Sequence, residues 1–97
     1  MEINFGHINN SLGTRVLGQK LRLKIEESLK VGEVVTFNFE GVNMISHSFA
    51  DECFGKLLLT WDIEDLKLMS TFKNTSSLVK KTVAFTLKER VAQSELV

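Results

Sequence analysis

The most strand-like stretch of this sequence spans residues 33–39 and reads Glu33-Val34-Val35-Thr36-Phe37-Asn38-Phe39. β-Branched and aromatic residues of this kind favour a pleated, half-buried strand. Side chains alternate between the two faces of a strand, so one face carries Val35, Phe37 and Phe39 while the other is mixed. Strands buried between two helix layers are apolar on both faces. The stretch therefore predicts a sheet that helices cover mainly on one side, with the other side thinly covered or used for contact.

Segments with helical periodicity lie on both sides of this strand. Apolar residues recur every three or four positions from Thr14 to about Leu29 and from about Ser48 to Trp61. A third helix follows, for which Asn74 or Thr75 would be the N-cap. The expected buried positions are Leu17, Leu21, Ile25, Leu29, Phe49, Cys53, Leu57, Trp61, Val79, Val83, Leu87 and Val91. Gly32 stands where a glycine is expected after the first helix.

Two further strands are predicted, over Glu2–Phe5 and Leu66–Phe72, with a loop from Gly6 to Gly13 after the first. The element order is then β-α-β-α-β-α, which favours a largely parallel sheet with right-handed crossovers. No linker, repeat or proline marks a domain boundary in the 97 residues. We therefore expect a single domain over residues 1–97, of α/β class, with a small mostly parallel β-sheet and three helices.

Composition limits the classes of partner. Twelve basic residues balance twelve acidic ones, so no overall field attracts nucleic acid or an anionic membrane, and we expect neither as a partner. The longest leucine run, residues 57–59, is far short of the roughly 20 residues that span a bilayer. The first residues show no secretory pattern, and the single cysteine, Cys53, forms no internal disulfide. These features indicate a cytoplasmic protein, with no metal site and no cofactor expected.

The most unusual segment spans residues 42–52 and opens the second predicted helix. It follows the best strand, at the carboxyl end of the sheet, where α/β proteins often bind ligands and partners. Ser48 and Asp51 have capping-box spacing, and Asp51 and Glu52 place negative charge near the positive end of the helix. One interpretation is that this segment is a well-formed helix start and nothing more.

A second interpretation comes from resemblance to a known family. Four parts of the sequence carry it: Leu12-Gly13-Thr14-Arg15, then Gly18 with Leu21-Arg22, then Asn38-Phe39-Glu40-Gly41-Val42, then Ile45-Ser46-x-Ser48-Phe49-Ala50-Asp51-Glu52-x-Phe54-Gly55-Lys56-Leu57. They resemble the STAS-like family of unassigned function, which is related to the anti-sigma-factor antagonist STAS domains. The resemblance covers roughly Leu12 to Arg90, and its specific part is the run from Ile45 to Leu57. It implies a small sheet packed against helices.

The resemblance also implies a role in signalling. In anti-sigma-factor antagonists the matching loop reads roughly D-S-S-G, and a histidine-kinase-like ATPase phosphorylates its second serine and is thereby released. Here Ser48 matches that serine, His47 the first serine and Ser46 the aspartate, while Phe49 replaces the glycine. A helix start favours a phosphate, but the negative charges of Asp51 and Glu52 oppose one on Ser48. Phe49, in place of the glycine, also narrows the approach of a kinase to Ser48. The resemblance therefore supports the fold and the docking role for this chain more strongly than it supports the phospho-switch.

Three hypotheses for function follow. The leading one is a non-enzymatic regulatory or interaction module that docks onto a partner protein, with a histidine-kinase-like ATPase as the partner implied by resemblance. Its candidate binding or phospho-switch residues are Ser46, His47, Ser48, Asp51, Glu52 and Arg15. The alternatives are a small enzyme or ligand-binding protein with a polar site at Ser48, Asp51, Glu52 and Arg15, and a structural oligomerisation subunit using the mixed face of residues 33–39.

Two of these residues bear on the choice between binding and catalysis. Arg15 either pairs with Asp51 or Glu52, if the first two helices start at the same end of the sheet, or grips a carboxylate of a partner. His47 is not expected to activate Ser48, because adjacent residues in an extended segment point apart. The sequence therefore favours binding over nucleophilic catalysis.

Overall fold

The computed structural model describes residues 1–8 and 12–95, and in this part of the chain it contains three strands and four helices. In order they are β1 (Glu2–Asn4), α1 (Arg15–Lys30), β2 (Val35–Asn38), α2 (His47–Cys53), α3 (Ile63–Met69), β3 (Ser70–Lys73) and α4 (Ser77–Glu95). Residues 9–11 of the predicted loop lie outside the described residues. Among the helices described, none combines the length and the apolar character needed to cross a membrane.

The three strands form one parallel sheet in the order β1-β2-β3. Ile3, Phe37 and Phe72 are in register across it and occupy the same face. Each connection between neighbouring strands contains at least one helix, as parallel strands require. The predicted α/β class with a small parallel sheet is confirmed.

Helices cover the apolar face of this sheet. Val35, Phe37 and Phe39 are buried in a core that also contains Leu21, Ile25 and Leu29 of α1. The Phe5 ring stacks on the Phe39 ring with their centroids 4.3 Å apart, an offset geometry that aromatic pairs favour. On the opposite face Glu2, Thr71 and Lys73 are exposed, as the mixed pattern in residues 33–39 predicts.

Gly32 ends α1 as predicted. Its φ is 76°, in the left-handed region that favours glycine. The Gly32 N–H donates to the Leu29 carbonyl at 3.1 Å, and the Glu33 N–H donates to the Ser28 carbonyl at 2.9 Å. This pair of bonds is a Schellman motif, which turns the chain from α1 directly towards β2.

The single helix predicted from about Ser48 to Trp61 is wrong. Helix α2 ends at Cys53, and a 3-10 helix over Gly55–Leu59 follows. Glycine is a weak helix former, and here the Gly55 backbone lies against α4 so closely that a Cβ would come 2.9 Å from Thr86 Cγ2. Most of the predicted buried stripe survives this change, because Phe49, Cys53 and Leu57 are fully buried, whereas Trp61 is only partly buried.

The strand predicted over Leu66–Phe72 is also wrong in its first half. Residues 63–69 form α3, the additional helix, and β3 begins only at Ser70. The expected alternation placed Leu66 and Leu68 on one face, whereas Leu66 is buried and Leu68 is 79% exposed. Acidic residues at positions 64 and 65 favour a helix here, because they lie in its first turn beside its positive end.

The cap of the last helix is Ser76, so the prediction of Asn74 or Thr75 is wrong. The Val79 N–H donates to Ser76 Oγ at 3.2 Å. The Ser76 hydroxyl in turn donates to the Asn43 carbonyl at 2.9 Å. The start of α4 is therefore tied to the loop that follows β2.

Candidate functional site

Helices α1 and α2 begin side by side. Ser46 is the N-cap of α2, and its Oγ accepts from the Phe49 N–H at 3.0 Å. The Ser46 hydroxyl donates to the Gly13 carbonyl at 2.9 Å, and the Ser46 N–H donates to the Leu12 carbonyl at 3.1 Å. The capping box predicted for Ser48 and Asp51 is wrong, because the cap lies two residues earlier.

The other two residues of the predicted loop lie in the first turn of α2. Ser48 is half-buried. His47 is exposed and lies beside α4, where its Nε2 is 2.9 Å from Glu89 Oε1 and its ring centroid is 5.6 Å from that of Phe85. The structure therefore brings His47 to the surface of α4.

Asp51 is buried and paired with two arginines. Arg90 of α4 donates from Nε to Oδ1 at 2.8 Å and from Nη2 to Oδ2 at 2.7 Å. Arg15 of α1 donates from Nη1 to Oδ2 at 3.0 Å. The hydrogen bonds from Arg90, supported by those from Arg15, outweigh burial and lower the pKa of Asp51 from 3.8 to about 2.

Glu52 is buried next to it and has three cationic partners. Arg22 Nη1 donates to Oε2 at 2.7 Å, Lys56 Nζ lies 3.1 Å from Oε1, and Arg15 Nη1 lies 3.2 Å from Oε1. Burial opposes ionisation of Glu52. The hydrogen bonds from Arg22, Lys56 and Arg15 together outweigh it, so the pKa of Glu52 is lowered.

These six side chains form an ion cluster around two buried acids, and it joins α1, α2, the 3-10 helix over Gly55–Leu59 and α4. Of the two alternatives for Arg15, the structure shows pairing with both acids, while half of its side chain remains exposed. Gly18 makes the contact between α1 and α2 close, because a Cβ there would lie 2.9 Å from Glu52 Cβ.

Sequence reasoning missed three members of the ion cluster. Lys56 could have been found, because it lies four residues after Glu52 on the same helical side. Arg22 was noted only for its place in the family pattern. Arg90 carried no local signal, since it lies 39 residues from Asp51 in the chain.

A groove lies at the carboxyl ends of the strands, which we call the carboxyl edge of the sheet. It lies between the segments that follow β1 and β2. Its volume is about 320 Å³, and we refer to it as the edge groove. Its walls include Phe5, Ile8, Leu12, Val42, Asn43 and Met44. Met44 is 68% exposed beside it. The sequence pointed to residues 42–52 but did not predict that Phe5 and Ile8 would face them across this edge.

Cys53 is a core residue in this structure. It is fully buried, and desolvation raises the pKa of its thiol, so the reactive thiolate is disfavoured. Across residues 1–8 and 12–95, no three histidine, cysteine, aspartate or glutamate side chains come together in a way that could hold a metal ion.

The parallel three-strand sheet with its helices defines a small α/β domain compatible with the STAS-like fold. Residues 18–80 match the family described as a STAS-like domain of unknown function (DUF4325). This match covers more than half of the chain, and the chain belongs to that family. It includes the specific run from Ile45 to Leu57, whereas the run from Leu12 to Arg15 lies outside it. Comparisons with curated proteins and with solved structures find no match.

Proposed function

We propose that this chain is a non-enzymatic interaction module that binds a partner protein at the edge groove. The observation that carries the proposal is the exposed Met44 beside a groove at the carboxyl edge of a parallel sheet, with Phe5, Ile8 and Val42 in its walls. Ligands of open α/β sheets bind at this edge. Methionine is flexible and polarizable, which suits it to contacts between proteins.

The state of the polar candidates favours binding over catalysis. Asp51 and Glu52 are buried and paired with this chain's own cations, and the pKa of each is lowered. A general acid or base works best when its pKa lies near the working pH. The two carboxylates therefore fit a structural role, in which they hold three helices together.

The resemblance to anti-sigma-factor antagonists suggests a histidine-kinase-like ATPase as the partner and Ser48 as the site of a phospho-switch. The ion cluster weakens one objection to phosphorylation, because the charges of Asp51 and Glu52 are compensated by four cationic side chains. A phosphate on Ser48 would place negative charge at the start of α2, close to the loop that carries Met44. We expect it to release the partner, as in the related domains.

Affinity capture with matched variants tests this proposal. We expect wild-type protein to retain a protein with a histidine-kinase-like ATPase domain, identified by mass spectrometry. Met44→Asp should weaken binding of that purified partner at least tenfold, on the order of 1.4 kcal/mol or more, because it places a charge in an apolar contact. Ser48→Glu should also weaken binding, whereas Ser48→Ala should not.

Val31→Asp is the matched control. Val31 is 77% exposed and follows the end of α1, near the start of β2 and thus at the opposite edge of the sheet. We expect it to bind the partner as the wild type does. Equal binding by Met44→Asp and Val31→Asp would contradict docking at the edge groove.

A further inference from the structure

Helix α4 carries apolar residues on two of its faces. Val79, Val83 and Thr86 are buried against the rest of the domain. Leu78 and Phe85 lie away from that core and are 57% and 56% exposed. A surface helix is normally apolar on one face and polar on the other. The outer face of α4 is therefore suited to being covered by another molecule.

The outer face has a symmetric pattern centred on Phe85. Lys81 and Glu89 lie four residues before and after it, and Leu78 and Ala92 lie seven residues before and after it. Residues spaced by four and seven positions share one side of an α-helix. Lys81 and Ala92 are exposed, and Glu89 is half-buried. The face is thus complementary to a reversed copy of itself.

We propose that a second copy of this chain covers the outer face, with the two α4 helices antiparallel and a two-fold axis at Phe85. This arrangement sets Lys81 of each copy opposite Glu89 of the other, so the same ion pair forms twice. Leu78 meets the small Ala92 of the second copy, which leaves room for the larger side chain. Such an interface is isologous, as two-fold dimers require.

A depression next to Phe85 supports this arrangement. It is lined by His47, Lys81, Thr82 and Phe85 and has a volume of about 410 Å³. In the dimer, the Phe85 ring of the second copy lies beside this depression. Within one copy, the His47 ring already packs on Phe85. Aromatic rings gain from such contacts, and opposite charges around them fix the register.

The dimer face and the edge groove are separate surfaces of the domain. The edge groove is built from the segments after β1 and β2, whereas the dimer face is built from α4 and His47. An interface of one helix per copy is small, so we expect a dissociation constant in the micromolar range. A chain that binds a partner at Met44 yet never dimerises would overturn the dimer and leave the proposed function standing.

Sedimentation equilibrium with charge-reversal variants tests the register. We expect wild-type protein to dimerise, and Lys81→Glu and Glu89→Lys each to weaken dimerisation at least tenfold. Each single variant sets like charges opposite one another twice. An equal mixture of the two variants should dimerise again. In the mixed dimer the two substituted positions face each other with opposite charges, and the unchanged Lys81 of one copy faces the unchanged Glu89 of the other.

Leu68→Asp is the control for a general effect of exposed apolar residues, since Leu68 is 79% exposed on α3. It should dimerise as the wild type does, while Phe85→Asp should not. Circular dichroism should show all variants folded, because the changed side chains are at the surface. A wild type that stays monomeric at about 1 mM would overturn the proposal. So would single variants that dimerise normally, or a mixture that stays monomeric.

Discussion

Asp51 remains ionised inside the domain because Arg90 binds both of its oxygens and Arg15 shares one of them. A carboxylate buried without partners would be costly, and removal of either arginine would leave part of that cost uncompensated. Arg15 also reaches Glu52, so one guanidinium group links the two acids. At the scale of residues, this cluster holds α1, α2 and α4 together.

The first prediction concerns the pH dependence of stability. The pKa of Asp51 is lowered from 3.8 to about 2 in the folded state, so its contribution is present above about pH 4 and is lost as the pH falls towards 2. At pH 7 we expect Asp51→Asn to reduce the free energy of unfolding by about 2 kcal/mol or more. Near pH 2 this difference should shrink.

Urea denaturation of both proteins at the two pH values provides the measurement. Equal differences at pH 7 and near pH 2 would show that the ionised pairs do not account for the effect of the substitution.

At the scale of elements, helix starts and ends were read from the sequence with uneven success. Gly32 was correctly placed, because a helix followed by glycine has a well-defined local geometry. The cap of α2 was misplaced, because Ser46 and Ser48 both precede a helical pattern and only tertiary contact distinguishes them. Ser46 bonds to the Gly13 carbonyl, which no local pattern in residues 46–52 encodes.

The stretch from Leu66 to Phe72, predicted as a strand, also shows that local sequence does not determine the element. Leu66 and Leu68 alternate like strand residues, yet α3 turns Leu66 into the core and leaves Leu68 exposed. The short apolar run fits both periods, so periodicity alone does not separate helix from strand there. The acidic residues at 64 and 65 carried the missing information.

The second prediction separates the two serines. Ser46→Ala should reduce the free energy of unfolding by about 1 kcal/mol, because it removes the cap of α2 and the bond to Gly13. Ser48→Ala should change it by less than about 0.5 kcal/mol, since Ser48 does not cap the helix. Thermal or urea unfolding of both variants measures this, and a larger loss for Ser48→Ala would contradict the assignment of the cap.

At the scale of the whole molecule, the order of strands and helices was predictable apart from α3, because periodicities of two and of three to four residues alternate along the chain. Which residues form the edge groove and the ion cluster was not predictable from the sequence. Phe5 and Met44, or Asp51 and Arg90, are far apart in sequence and meet only once the sheet is assembled. The family resemblance singled out the run from Ile45 to Leu57, and packing decided which of its side chains face outwards.

We assign partner binding to only one of the two edges of the sheet. The carboxyl edge carries the edge groove with Met44, and we propose that it binds the partner. The other edge carries Val31 and Val34, which are exposed as well, so exposure of apolar residues alone does not distinguish the edges. A direct test must therefore locate the bound partner on the surface.

Nuclear magnetic resonance of the ¹⁵N-labelled chain, titrated with the purified partner, makes that test. We predict that the backbone amide shifts change most in residues 5–8 and 41–44 and little around Val31 and Val34. Changes concentrated around Val31 and Val34, with residues 41–44 unaffected, would contradict the proposal that this domain works through the carboxyl edge of its sheet.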